Sequence, residues 1–254
     1  MNILKRPSIL WFLSEPGRSL FELGLSIPLN NLLSRQKSGD GHPVMVLPGF
    51  MSSSRSTKVL RKFVESLGYD VYDWGLGRNV GKVDFLELLL ERIDEIHQQT
   101  GKPISLIDWS LGGIFARQVA KERSDIIRQV ITLGTPFCGL AEPNNAEWIY
   151  RLINGGKKVK SVNCSFLENL PLPAPVPTTA IYSKEDGIVP WKLCMEKEED
   201  FMHQNIQVRG SHIGMGINPS VLSIISDRLK LKKETWQKFK PNGFLNNNLL
   251  YPSF

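Results

Sequence analysis

From residue 43 onward, short apolar runs rich in β-branched residues alternate with longer stretches in which apolar positions recur every three or four residues. That alternation predicts parallel strands joined by crossover helices. The runs PVMVLP, YDVYDW, PISLID, IIRQVITLG, TTAIYS and NIQVRG read as strands. SSRSTKVLRKFVESLG (ended by Gly68), VDFLELLLERIDEIHQQTG, SLGGIFARQVAKER and NPSVLSIISDRLKL carry the helical period. Between about 137 and 176 the regularity fails, and aromatics, prolines and a Gly-Gly pair mix. An excursion of that length inside a compact domain predicts a lid or cap over a pocket. The expected fold class is α/β: a mostly parallel sheet flanked by helices over residues 41–230, with a cap over 137–176, an N-terminal arm over 1–40 and an irregular tail over 231–254.

The arm opens with Lys5 and Arg6 ahead of an apolar patch, as a secretory signal does. Glu15, Pro16, Gly17 and Arg18 interrupt the patch and no small-x-small cleavage site follows, so a cytoplasmic location is expected. A membrane span needs roughly 18 uninterrupted apolar residues, and the arm lacks them. It reads as an amphipathic segment that either packs on the domain or rests on a membrane surface.

Composition narrows the picture. With 254 residues, 41% of them hydrophobic, the chain can bury one sizeable core. The net charge of +6 is spread over short clusters such as GGKKVK and RLKLKK, which read as solvated surface, so no nucleic-acid partner is expected. Cys138, Cys164 and Cys194 are scattered, without the spacing of a disulfide framework or a metal site. No metal and no cofactor are expected.

The segment LIDWSLGGI runs a strand into a helix and so places Ser110 on a sharp turn at the carboxyl edge of the sheet. Such a turn requires small neighbours. Gly112 and Gly113 meet this on the helix side, whereas Asp108 puts a carboxylate two residues ahead of the serine. Its side chain could bond a neighbouring loop, hold a histidine more strongly protonated, or weaken the turn. A serine hydroxyl needs a base to remove its proton and an acid to orient that base. His212, in a glycine-flanked loop after the last strand, lies at the same edge, while His42, His97 and His203 read as solvated. Asp186 follows the preceding strand, with Glu185 its adjacent rival. Backbone N–H donors for a carbonyl oxygen are expected at Leu111 and at Phe50, with Met51 the alternative to Phe50. Arg78, in WGLGRNVGKVD, is a weaker candidate for a polar substrate group.

The segments HPVMVLPGF, DWSLGG, VITLGTPFCG, YSKEDGIVPW and GSHIGMGINP, in that order, resemble small lipase- and esterase-like members of the α/β-hydrolase superfamily. The likeness covers roughly residues 43–229. It departs from the pattern in reading LPGF where many lipases have HGF or HGG, and in Asp108. It implies cleavage of carboxylic esters through a Ser110–Asp186–His212 triad and an acyl-enzyme, without a cofactor. The expected substrate is a small ester with an apolar part, in contact with Met51, Trp109, Phe137, Trp148 and Trp191. An acyltransferase with the same triad and a silent lipid-binding protein remain as alternatives.

Overall fold

The structure, a computed structural model, describes residues 7–34, 39–138, 168–241 and 251–252. Most of the expected cap, Trp148 included, and part of the tail lie outside the described residues.

Six strands form one all-parallel sheet: β1 (Pro43–Leu47), β2 (Asp70–Asp73), β3 (Ile104–Trp109), β4 (Ile127–Leu133), β5 (Thr178–Ser183) and β6 (His203–Val208), in the order β2-β1-β3-β4-β5-β6. β1, β4 and β5 are buried along their whole length, the burial expected of strands covered on both faces. The helices are α1 (Ile9–Ser34), α2 (Lys58–Ser66), α3 (Phe85–Thr100), α4 (Gly112–Glu122) and α5 (Pro219–Leu229). One apolar cluster joins Leu106, Val130 and Met45 to Leu89 and Ile93 of α3 and Phe115 of α4. The opposite face joins Val46, Ile107 and Ile131 to Phe63 of α2 and Leu222 and Ile225 of α5. This two-sided packing matches the expected layers.

Local signals place the boundaries. Gly101 ends α3 at φ +64°, where its N–H bonds the His97 carbonyl. Asn218 caps α5 through its side chain, which accepts from the Ser220 and Val221 amides, with Pro219 in the first turn. The arm is a finding of its own, since α1 continues through Pro16 and Pro28 and packs against α5 and α2. The charged residues that interrupt its apolar run are therefore on the helix and do not end it.

Candidate active site

Parallel strands point their carboxyl ends to one rim, so the loops after β1, β3, β5 and β6 meet there. Ser110 follows β3 with φ +53°, a left-handed conformation that costs a non-glycine residue about 1–2 kcal/mol. Its amide donates to the Leu133 carbonyl at 2.9 Å, and its own carbonyl accepts from Gly113 at 3.1 Å. A Cβ at Gly112 would lie 2.8 Å from the Pro48 oxygen, and one at Gly113 would lie 2.0 Å from Asp108 Oδ1 and 2.2 Å from Thr135 Oγ1. Both glycines are therefore required by contact.

Asp186 and His212 come together from different loops. His212 Nδ1 bonds Asp186 Oδ2 at 2.6 Å, and Asp186 Oδ1 accepts from the amides of Ile188 at 2.8 Å and Val189 at 2.7 Å. Both side chains are buried. Burial disfavours a charged imidazole, but the Asp186 carboxylate, and Glu15 beyond it, outweigh this and hold His212 above its ordinary value. Glu185 instead faces Arg209 at 3.7 Å. The imidazole lies beside the elbow: a Cβ on Gly134, the residue after β4, would be 3.1 Å from His212 Nδ1, and Trp109 Nε1 donates to the His212 carbonyl at 3.0 Å. Among the described residues no hydrogen bond joins Ser110 to His212.

The turn after β1 closes the rim. Gly49 lies so near the elbow that a Cβ there would be 3.3 Å from Ser110 Cβ. The Met51 amide is bound to the Asn79 carbonyl at 2.7 Å, which removes it as a free donor. The Phe50 and Leu111 amides are not engaged by another described residue. Asn79, fully buried, fastens this turn: its Nδ2 donates to the Pro48 carbonyl at 2.8 Å and its amide to the Ser52 carbonyl at 2.8 Å. Met51 is, among the described residues, the other non-glycine residue at positive φ, +57°, and half of its surface is exposed.

Other expected contact residues are placed differently. Phe137 is fully buried, with the Arg117 guanidinium 3.8 Å over its ring, so it offers a ligand no surface. Trp191 stacks on Tyr182 with centroids 5.7 Å apart, and Trp109 leans over His212. Arg78 is exposed. Neither His42 nor His203 is solvated, contrary to expectation. His203 is held between Asp200 at 2.8 Å and the Ala174 carbonyl at 2.8 Å. His42 bridges Asp40 at 2.5 Å and Ser105 Oγ at 2.8 Å, a second Asp–His–Ser chain at the opposite edge of the sheet. Ser105 sits within β3 and is fully buried, so no substrate carbon can reach it.

The sequence reasoning missed Asn79, Glu15 and Glu22. Glu15 and Glu22, the only acids of α1, are seven residues apart and hence on one helical face, a spacing that could have marked them. Among the described residues no cluster of His, Cys, Asp and Glu could hold a metal ion.

Comparison with known proteins agrees with this architecture. Residues 65–154 match the family model "Lecithin:cholesterol acyltransferase". The mitochondrial palmitoyl-protein thioesterase ABHD10 of Bos taurus is 23% identical over 214 residues, 71% of this chain and 68% of that protein. Among solved structures, Aspergillus fumigatus lipase B is similar at a TM-score of 0.59 and 18% identity; the match covers 77% of this chain but only 54% of the lipase. The monoacylglycerol lipase of Paleococcus ferrophilus gives 0.53 at 16% identity over 74% of this chain and 93% of its own. An α/β superfamily hydrolase from Oenococcus oeni gives 0.55 at 15% identity over 76% and 94%. The fold is the α/β-hydrolase fold, the scaffold of lipases, esterases and thioesterases among these neighbours.

Proposed function

We propose that the chain is a serine hydrolase of carboxylic esters with Ser110 as nucleophile, His212 as general base and acid, and Asp186 as its orienting carboxylate. The observation that carries this reading is the Asp186–His212 bond of 2.6 Å at the rim where Ser110 stands strained. His212 Nε2 takes the Ser110 proton as Oγ attacks the substrate carbonyl, and catalytic hydrogen bonds of this kind tighten when substrate arrives. The amides of Phe50 and Leu111 receive the developing oxyanion. The imidazolium returns its proton to the departing alcohol. Water then repeats the sequence on the acyl-enzyme and releases the acid.

The proposed substrate is a small ester with an apolar portion, met by Met51 and Trp109 beside the elbow. Trp191 lies in the loop after Asp186, while Phe137, fully buried, is left out of the contact set. The match to an acyltransferase family model favours a second reading, in which an alcohol rather than water accepts the acyl group. Cytoplasmic location is kept as part of the proposal. A fluorophosphonate probe read by intact mass tests the core of it. Wild-type protein is expected to gain one adduct that Ser110→Ala does not, and p-nitrophenyl esters of graded chain length then size the pocket. Equal labelling of Ser110→Ala, or a wild-type protein inert to probe and esters alike, would overturn it. Product analysis with an added alcohol separates transfer from hydrolysis.

A further inference from the structure

The side chain that holds the candidate site together comes from the N-terminal helix. Glu15 is 1% exposed, and four donors converge on its carboxylate. Oε1 accepts from the amides of Gly187 at 2.8 Å and His212 at 3.0 Å and from the Arg18 guanidinium at 2.9 Å, while Oε2 accepts from the Ile213 amide at 2.9 Å. Gly187 adjoins Asp186, and the other two amides are those of His212 and its neighbour. One carboxylate thus ties the loop of the acid to the loop of the imidazole.

Two turns along α1, Glu22 repeats the contact, accepting from the Ser211 amide at 2.7 Å and its hydroxyl at 3.2 Å. The fit is tight enough to dictate sequence. A Cβ on Gly187 would come within 2.5 Å of the Trp11 backbone, and one on Gly214 within 1.8 Å of Glu22 Oε2. The glycines of both loops are where α1 passes. Bonds to ionised acceptors are about twice as strong as neutral ones, so a buried carboxylate on three amides is a stiff clamp.

We propose that Glu15 is a positioning residue: it fixes the Asp186 and His212 loops against each other and stands as a second carboxylate beside the imidazole. The kinetic part of this inference rests on the function proposed above. Among the described residues, His212 is faced by Asp186 from the loop after β5, by Glu15 with Arg18 behind it from α1, by Trp109 at the end of β3, by Gly134 after β4, and by Met215 from its own loop. Only Asp186, Glu15 and Arg18 of these carry charge. Nearby, Asp108 is turned to Thr135 and pushed toward its neutral form by burial, Glu22 is turned to Ser211, and burial keeps the Cys194 thiol protonated. Glu15 is therefore the second anion of the imidazole.

Glu15→Gln keeps the volume and one acceptor but removes the charge. NMR titration of the His212 imidazole, assigned by comparison with His212→Gln, is expected to show a lowered pKa, because one of two anions that stabilise the imidazolium is gone. The acid limb of kcat/KM moves down with it, and kcat falls roughly tenfold with KM within about twofold, the pattern of lost positioning. Arg18→Gln, at a partly exposed site, removes the cation that offsets Glu15 and moves the His212 titration upward, which serves if Glu15→Gln does not fold. An unmoved His212 titration in the folded variants overturns the inference, even where the melting temperature drops. If wild-type Ser110 takes no fluorophosphonate while the titration still shifts, the hydrolase reading fails and the role of Glu15 stands.

Discussion

Asp108 occupies a position where a carboxylate should obstruct the turn into α4, yet the turn forms. Its side chain fills the space over Gly113, accepting from Thr135 Oγ1 at 2.8 Å and leaving Oδ2 buried without a partner. Burial raises its pKa well above the ordinary value, against the pull of Thr135 and the Arg117 charge, which favours the neutral form of the group. Of the three roles open in the sequence, bonding to a neighbouring loop is the one the geometry displays. Gly113→Ala is expected to destabilise by about 1–3 kcal/mol through overpacking. In an Asp108→Gly background only part of that cost is relieved, since Thr135 Oγ1 still lies 2.2 Å from the added Cβ, and a double-mutant cycle by denaturant unfolding measures the coupling. Asp108→Gly alone keeps ester hydrolysis; complete loss in a folded variant would assign the aspartate to the reaction itself. His212 carries its own pH signature. In the proposed role of base it must be neutral, so its raised pKa is expected to place the acid limb of kcat/KM above the ordinary histidine value, with activity rising through that limb as pH increases.

At the scale of elements, the six described strands and the helices α2 to α5 were legible, because buried parallel strands leave β-branched runs and their helices leave amphipathic ones. The rim residues Ser110, Asp186 and His212 could be found because each follows a strand with a glycine nearby. Glu15, Asn79 and the burial of His42 could not, since each depends on a contact between distant segments that no local pattern encodes. Asn79 illustrates the point: it reads as one residue of a polar loop, but its side-chain bond to the Pro48 carbonyl shapes the turn bearing Phe50. Asn79→Ala is expected to cost about 1–3 kcal/mol of stability by orphaning that carbonyl and to lower kcat more than it changes KM, read by steady-state kinetics. His42 fastens β1 to β3 through Ser105, and burial is the main reason its pKa falls to about 4. The unfolded chain binds a proton near pH 6.5 that the folded chain refuses until about pH 4, so stability falls as pH drops through that window. Chemical denaturation across it should show the slope in the wild type and a shallower one in His42→Gln.

Over the whole molecule, α1 packs on the domain, and its outward face bears on the other reading of the arm. It packs on the domain through Glu15 and Glu22, while Leu10, Leu13, Leu20 and Phe21 on its other side are 68–75% exposed. Both acids of the helix face inward, so the outward face carries no negative charge, and the chain as a whole is at +6. Among the described residues no helix is long and apolar enough to cross a membrane. We propose that this face lies on an anionic lipid surface, where each buried large side chain contributes about 1.5–3 kcal/mol. Co-sedimentation with phosphatidylserine-containing vesicles is expected to retain the wild type and to lose several-fold in Leu13→Ser/Phe21→Ser; equal behaviour of the two proteins would remove the proposal.

The order of these segments along the chain also bears on biosynthesis. The oily helix leaves the ribosome ahead of the loops its carboxylates grip, by about 10–40 seconds at ordinary elongation speeds. Until those loops emerge Glu15 and Glu22 lack their amide donors, so the rim takes its final form only late in translation.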